Sequence, residues 1–160
     1  MLKNSMTQAE IKHYTNTLYY DLELTAIYCR MLGSQLIEKI YPNMNDYELR
    51  ALDAIYCHPK ICQRDLAKLI LKDRANTGRI VDSLERKGFI KRYNDTKNKR
   101  LVKKLEITEE GTQVLYVVSE KLEPTYKMIS QVISQEEIDD IRQKLKKLRE
   151  SLSQAVEMQI

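Results

Sequence analysis

Residues 61–111, ICQRDLAKLILKDRANTGRIVDSLERKGFIKRYNDTKNKRLVKKLEITEEG, fall into an ordered series of elements. A short helix (QRDLAKLIL) leads through a turn at Leu71 to Asp73 into a second helix (RANTGRIVDSLERKG). A strand (FIKRYN), a charged loop (DTKNKR) and a returning strand (LVKKLEIT) follow. Two helices across a tight turn and then a hairpin make the order of a winged helix-turn-helix.

Within the second helix Ile80, Val81 and Leu84 share one face, while Asn76, Arg79, Ser83 and Arg86 recur at helical spacing on another. One side packs and the other points outward. Asp73 is placed to cap the start, and Gly88 stands where a left-handed residue closes the end, so the outward face belongs to a short, well-bounded rod that fits a DNA major groove. Asn76, Thr77 and Arg79 are the candidates for base contact, since Arg pairs with guanine and Asn with adenine through two hydrogen bonds. Lys72, Arg74 and Arg86 are the candidates for phosphate contact. In the hairpin, Lys97, Lys99 and Arg100 put cations on a tip narrow enough for the minor groove.

Charge follows the same division. Between Arg64 and Lys104 fourteen Lys or Arg face five Asp or Glu, a local charge of +9; the rest of the chain carries −5, which leaves the modest net +4. A basic stretch by itself is usually a solvated face, but this one coincides with a reading helix and a wing, the electrostatic footprint of a nucleic-acid binder.

The ordered set Asp65, Leu66 and Ala67, then Arg79, Val81, Asp82, Leu84 and Glu85, then Lys87, Gly88, Phe89, Ile90 and Arg92, ending at Thr108 and Gly111, resembles the MarR-type bacterial transcription regulators. The likeness covers about a third of the chain closely and, through helix order, nearly all of it. It departs in three places: Asn98 stands two residues before the wing Arg100 where the family usually has Asp, Arg100 to Thr108 is one residue longer than usual, and Cys62 occupies a position commonly Ser or Thr. The resemblance implies that Arg100 is the principal wing cation. It also implies a small, often phenolic or aromatic effector bound between the lobes, for which Tyr14, Tyr19, Tyr20 and Tyr28 could line a pocket. Some members of the family sense oxidants through cysteine, and Cys62, at the start of a helix, is the redox candidate here.

The chain has 160 residues, 42% of them hydrophobic and 31% charged, with no long biased segment, an ordinary globular composition large enough for a DNA-binding lobe plus a helical lobe. The start (MLKNSMTQAE) lacks a hydrophobic leader and the apolar runs are short, so a cytoplasmic protein without a membrane span is expected. Cys29, Cys57 and Cys62 are odd in number and lack CxxC spacing, and His13 and His58 are far apart; neither a disulfide framework nor a metal site is expected. No nucleophile with its base, phosphate loop or carboxylate pair suggests catalysis, and no cofactor is implied.

Outside the motif, Thr7 with Glu10 has the form of a capping box and opens an apolar-periodic segment: Ile11, Tyr14, Leu18, Leu22, then Met31, Leu32, Leu36 and Ile40 before Pro42. Read as one helix it would be about 34 residues, roughly 50 Å, longer than a small lobe buries alone. Asn45 with Glu48 repeats the capping pattern before Leu49, Leu52, Ile55 and Tyr56, and Lys60 to Cys62 can form a short strand beside the wing. After the wing Thr108 caps a helix that Pro124 is expected to kink or divide. Ser134 with Glu137 opens the last helix, where Ile138, Ile141, Leu145, Leu148 and Leu152 form a heptad seam.

The fold expected is mainly α with a small β-wing: a dimerisation helix over 1–44, the winged helix-turn-helix over 45–111 and further dimerisation helices over 112–160. Ile11, Tyr14 and Leu18 from one terminus and the heptad seam from the other are the expected dimer interface. The function implied is a homodimeric, sequence-specific binder of double-stranded DNA, repressing from a palindromic operator and released by a small effector. A winged-helix module docking an acidic protein partner and a cysteine-based oxidant sensor are the alternatives.

Overall fold

The computed structural model describes residues 13–97 and 100–156. They form a 3-10 turn at Tyr14–Asn16 and helices α1 (Leu18–Ile40), α2 (Asp46–Cys57), α3 (Gln63–Ile70), α4 (Arg74–Arg86), α5 (Glu109–Val132) and α6 (Gln135–Ala155). Strands β1 (Ile90–Lys97) and β2 (Arg100–Ile107) lie between α4 and α5. Most starts have a visible chemical cause. Asn45 and Ser134 close capping boxes with Glu48 and Glu137, and Asp73 and Thr108 accept from the backbone N–H groups of Asn76 and Gly111.

Helix ends are equally specific. Gly88 is left-handed, with φ 77°; its N–H donates to the Glu85 carbonyl at 2.9 Å and the Phe89 N–H to Leu84 at 3.0 Å. This pair of bonds closes α4 and turns the chain into β1. Leu71 ends α3 in the same conformation, φ 53°, with the Lys72 N–H reaching the Ala67 carbonyl at 3.0 Å. The turn between the two helices of the motif therefore falls at Leu71 to Asp73, as the sequence suggests.

The hairpin runs in register from Ile90 opposite Ile107 to Lys97 opposite Arg100. The expected charged loop is thereby shortened: Asp95, Thr96 and Lys97 belong to β1 and Arg100 to β2, because ladder bonds continue to the last rung. The anticipated strand at Lys60 to Cys62 reduces to a single bridge between Cys62 and Lys104, beside a bond from the Leu105 N–H to the Ile61 carbonyl at 2.9 Å.

One core joins these elements. Leu52 and Ile55 of α2, Leu66 of α3, Val81 and Leu84 of α4, and Leu105 of β2 are buried together, and Ile37 of α1 with Val114 and Val118 of α5 belong to the same cluster. The first turn of α5 sits against the base of the wing. Thr108 donates its hydroxyl to the Gly88 carbonyl at 2.7 Å, and a Cβ on Gly111 would lie 2.1 Å from the Phe89 carbonyl oxygen. Only glycine admits that approach.

Glu48 is a charged member of this interior, 3% exposed. The Lys87 ammonium lies 2.7 and 2.8 Å from its two carboxylate oxygens and also donates to the Asn43 carbonyl, while the Asn45 N–H donates to Glu48 Oε2 at 2.9 Å. Ser83 supplies a further bond. Burial by itself would raise the carboxyl's pKa, but the bonds from Lys87, Ser83 and Asn45 together outweigh it and hold Glu48 below the ordinary range.

Two expectations about the helices are corrected. The first helix does not run unbroken through Tyr14: Thr17 is extended (φ −124°, ψ 146°), and α1 begins at Leu18 with 23 residues. The Thr17 hydroxyl donates to the Tyr14 carbonyl at 2.7 Å and accepts from the Tyr20 N–H at 3.3 Å, so its side chain takes the bonds a continuing helix would need. Tyr14 folds back and donates to Glu23, and that bond to a carboxylate is the main cause that raises its pKa to about 12. The Thr7 box and Ile11 lie outside the described residues. Of the two effects expected of Pro124, a kink or a division, the division does not occur, since α5 runs continuously from Glu109 to Val132. Pro124 and Glu120 are both exposed, so the carbonyl deprived of its helical partner faces water.

The C-terminal seam is not consumed by its own chain. No residue of α6 is buried; Ile138, Leu145 and Leu148 are half-buried, Ile141 is 42% and Leu152 55% exposed. At the other end Tyr14 and Leu18 are more than half exposed.

Three outcomes follow from this packing. Gly111→Ala should cost about 2 kcal/mol or more, because backbone rather than a flexible side chain must yield; calorimetry should find the thermal midpoint lowered by several degrees. For Glu48, whose folded value is depressed, the contribution to stability is complete above the unfolded Glu value of about 4.3 and drains away as pH falls through the lower folded value. Denaturant titrations from pH 7 to pH 3 should therefore be flatter in Glu48→Gln than in the wild type. Lys87→Met, which strands the buried carboxylate, should lose roughly 3 kcal/mol at pH 7.

Candidate nucleic-acid interface

The interface is built around α4, whose rotation is set by what it buries. Thr77, Val81 and Leu84 face the core at helical spacing, and Gln63 of α3 packs close over Gly78, its Nε2 donating to the Arg74 carbonyl at 3.5 Å. Arg74, Ala75, Asn76, Arg79, Asp82 and Arg86 are exposed. The outward stripe is thus close to the expected one, with two corrections.

Thr77 is fully buried, and its hydroxyl donates to the Asp73 carbonyl at 2.8 Å. It cannot reach a base: it falls on the same face as Val81, four residues on, and serves the helix start. Ser83 is half-buried and contributes to the depressed pKa of Glu48, so it is less open to a groove than the arginines of the same stripe. Spacing alone placed it on the outer stripe because it lies at the boundary between the two faces.

The remaining candidates differ in how they are held. Among the described residues no carboxylate pairs with Arg74, Arg79 or Arg86, which leaves three guanidinium groups on the outer surface of α4. Lys72, just before α4, has its ammonium 3.7 Å from the centroid of the Tyr47 ring, and Arg50 approaches the same ring at 5.9 Å. Asn76 is exposed and donates through Nδ2 to Asp73 at 2.5 Å. Lys97 and Arg100 face each other on the last rung of the hairpin, and Lys99 lies outside the described residues.

Sequence reasoning assigned no role to the contact that fixes the wing against α4. Arg92 of β1 donates through Nε to Glu85 at 2.8 Å and through Nη2 to Glu85 and Asp82, each at 2.5 Å. Its hydrogen bonds are the main cause that holds the Glu85 carboxyl below its ordinary range. The signal was present in two acids three residues apart on a helix, followed across a Gly turn by an Arg, but only the fold brings the three together. This clasp also neutralises Asp82, the acid that would otherwise stand among the exposed arginines.

Cys62 occupies the N-cap position of α3, half-buried, and its thiol donates to Asp65 Oδ2 at 3.0 Å. Between α2 and α5 a groove of about 300 Å³ is lined by Leu49, Arg50, Asp53, Leu115, Leu122 and Tyr126. Tyr14, Tyr19, Tyr20 and Tyr28 do not line this groove: Tyr14 packs its ring against Tyr19 and Tyr20, and Tyr28 is exposed. No described helix is long and apolar enough to cross a membrane.

Comparison with known proteins agrees with this architecture. Residues 44–102 match the model of the MarR family. The HTH-type transcriptional regulator YybA of Bacillus subtilis is 33% identical over 98 residues, a match that spans 61% of this chain and 65% of that relative's length. Two solved structures share the fold. MepR of Staphylococcus aureus in complex with DNA is 21% identical, with 88% of this chain and 99% of that one covered at a TM-score of 0.73. The transcriptional regulator SlyA is 23% identical, with 86% and 94% covered at 0.70. With its helix-turn-helix, its clasped two-stranded wing and its helical termini, the chain shares the fold of these regulators, and its residues 44–102 carry the match to the MarR family.

Proposed function

We propose that two copies of this chain bind double-stranded DNA sequence-specifically, on a palindromic operator, and repress transcription from it in the cytoplasm. The observation that carries this reading is the outer face of α4, where Arg74, Arg79 and Arg86 stand exposed without carboxylate partners while the opposite face is locked into the core. A rigid helix with uncompensated guanidinium groups is complementary to a major groove lined by phosphates and guanine edges. The hairpin beside it, with Lys97 and Arg100 on its last rung, supplies a second point of attachment. MepR, of the same fold, has been solved bound to DNA, which supports the same class of partner here.

Pairing of two copies is supported by the uncovered seam of α6 and by the exposed Tyr14 and Leu18. Two-fold pairing would set two α4 helices one DNA turn apart, the spacing a palindrome requires. The groove between α2 and α5 is the proposed seat of a small aromatic or phenolic effector that releases the DNA, since it lies where the winged region meets the helical termini.

Arg79 and Arg100 separate reading from positioning. Arg79→Ala should cost roughly 1 to 3 kcal/mol on the operator and less on random duplex, so that the ratio of specific to nonspecific affinity collapses. Arg100→Ala should weaken both and reduce the salt slope by about one unit. Titrations of both variants on operator and scrambled duplex at several salt concentrations check this, and unchanged binding of every duplex would give first place to docking of an acidic protein. For the pairing, Leu145→Asp with Leu148→Asp should yield monomers in sedimentation and abolish operator binding, because unpaired charges in an apolar seam cost several kcal/mol each. A doubly substituted protein that still sediments as a dimer rules the α6 seam out.

A further inference from the structure

Asp73 does more than cap α4, and its second role bears on the DNA reading proposed above, on which this inference rests. It accepts two bonds from Asn76: the backbone N–H reaches Oδ1 at 2.8 Å and the side-chain Nδ2 reaches Oδ2 at 2.5 Å. A carboxylate only accepts, so chemistry fixes which end of the amide faces it: the nitrogen is turned toward Asp73, and the amide oxygen, which a carboxylate repels, is turned away. One amide hydrogen is thereby occupied. The other hydrogen and the amide oxygen are left without a bond to Asp73, and together they give the side chain one donor and one acceptor for an outer edge.

That edge is complementary to adenine in the major groove, which offers N7 as acceptor and the N6 amino group as donor. An unrestrained Asn must freeze its side-chain torsions to present the fork, whereas here the restraint exists before any DNA arrives. Asn76 is exposed and lies in the first turn of α4, the part of a recognition helix that meets base edges. Asp73 is the residue spared from contact: its carboxylate is used on Asn76, and the bonds from Asn76 hold its carboxyl below the ordinary range, so it stays a charged acceptor at neutral pH. We propose that Asn76 reads an adenine in each half-site and that Asp73 is the positioning residue that sets the Asn76 amide for it.

The test selects bound duplexes from a randomised pool with the wild type, Asn76→Ala and Asp73→Ser, and measures affinities for the winning site with each base substituted. Serine still accepts the Asn76 N–H, so α4 stays capped while the bond to Nδ2 is lost. The wild type should prefer A·T at one symmetric pair of positions by roughly ten- to a hundredfold. Asn76→Ala should lose that preference at that pair alone, and Asp73→Ser should reduce it severalfold there with thermal midpoint and salt slope unchanged, which a purely structural loss would not produce. A palindrome selected alike by all three proteins overturns the assignment and leaves the DNA reading standing. A uniform loss of affinity in Asp73→Ser, with the A·T preference intact, reduces Asp73 to a cap and overturns its positioning role. A wild type that retains no duplex overturns both.

Discussion

The Lys87 ammonium and the Glu48 carboxylate meet where three parts of the chain converge, and a buried charge leaves little freedom in how they do so. Glu48 is almost without exposure, and an unpaired carboxylate there would cost several kcal/mol. Its two oxygens are met from the capping turn at Asn45 and from Lys87, while Lys87 also takes the Asn43 carbonyl. The corner between α1 and α2, the start of α2 and the end of α4 are tied at one point. The rotation of α4 follows: with Ser83 drawn inward and Thr77, Val81 and Leu84 in the core, Arg79 and Arg86 have only the outside left.

The basic region divides into cations that hold the protein together and cations left for something else. Lys87 and Arg92 are satisfied by carboxylates within the chain, Lys91 pairs with Glu106 across the hairpin, and Lys72 rests on the Tyr47 ring. The wing is rigidly aimed because Arg92 makes charge-assisted bonds to two acids on α4, which are stronger than neutral ones and directional. Without that clasp a two-stranded ribbon would be marginal and free to swing. The local charge of +9 therefore overstates the number of free cations, and the outer arginines of α4 matter more than the sum.

The apolar surface shows a similar division. The winged region closes its own core around Leu52, Leu66, Leu84 and Leu105, whereas α6 has no fully buried residue and α1 leaves Leu18, Tyr28 and Met31 open. A helix with a heptad stripe and no buried residue gains little from folding back on its own domain. Packing within the single chain therefore contributes little to the stability of α6.

Much of this molecule is legible in its sequence, because the features concerned are local. Caps at Asn45, Asp73, Thr108 and Ser134, the left-handed Gly88, and the alternation that marks the hairpin depend on bonds between residues a few positions apart. The order of helices, turn and wing, and with it the family resemblance, followed from those signals. The division of roles within α4 was only partly legible: Thr77 stands four residues before Val81, an interval that already places it on the packing face, whereas Ser83 lies at the margin of the outward stripe and is half-buried by what packs beside it. The break at Thr17 and the continuity through Pro124 were likewise decided by which backbone groups found a substitute partner or met water. Intervals of three and four residues define a face to within about a third of a turn, and residues at its margin are assigned by whatever packs beside them, which is a property of the tertiary structure alone.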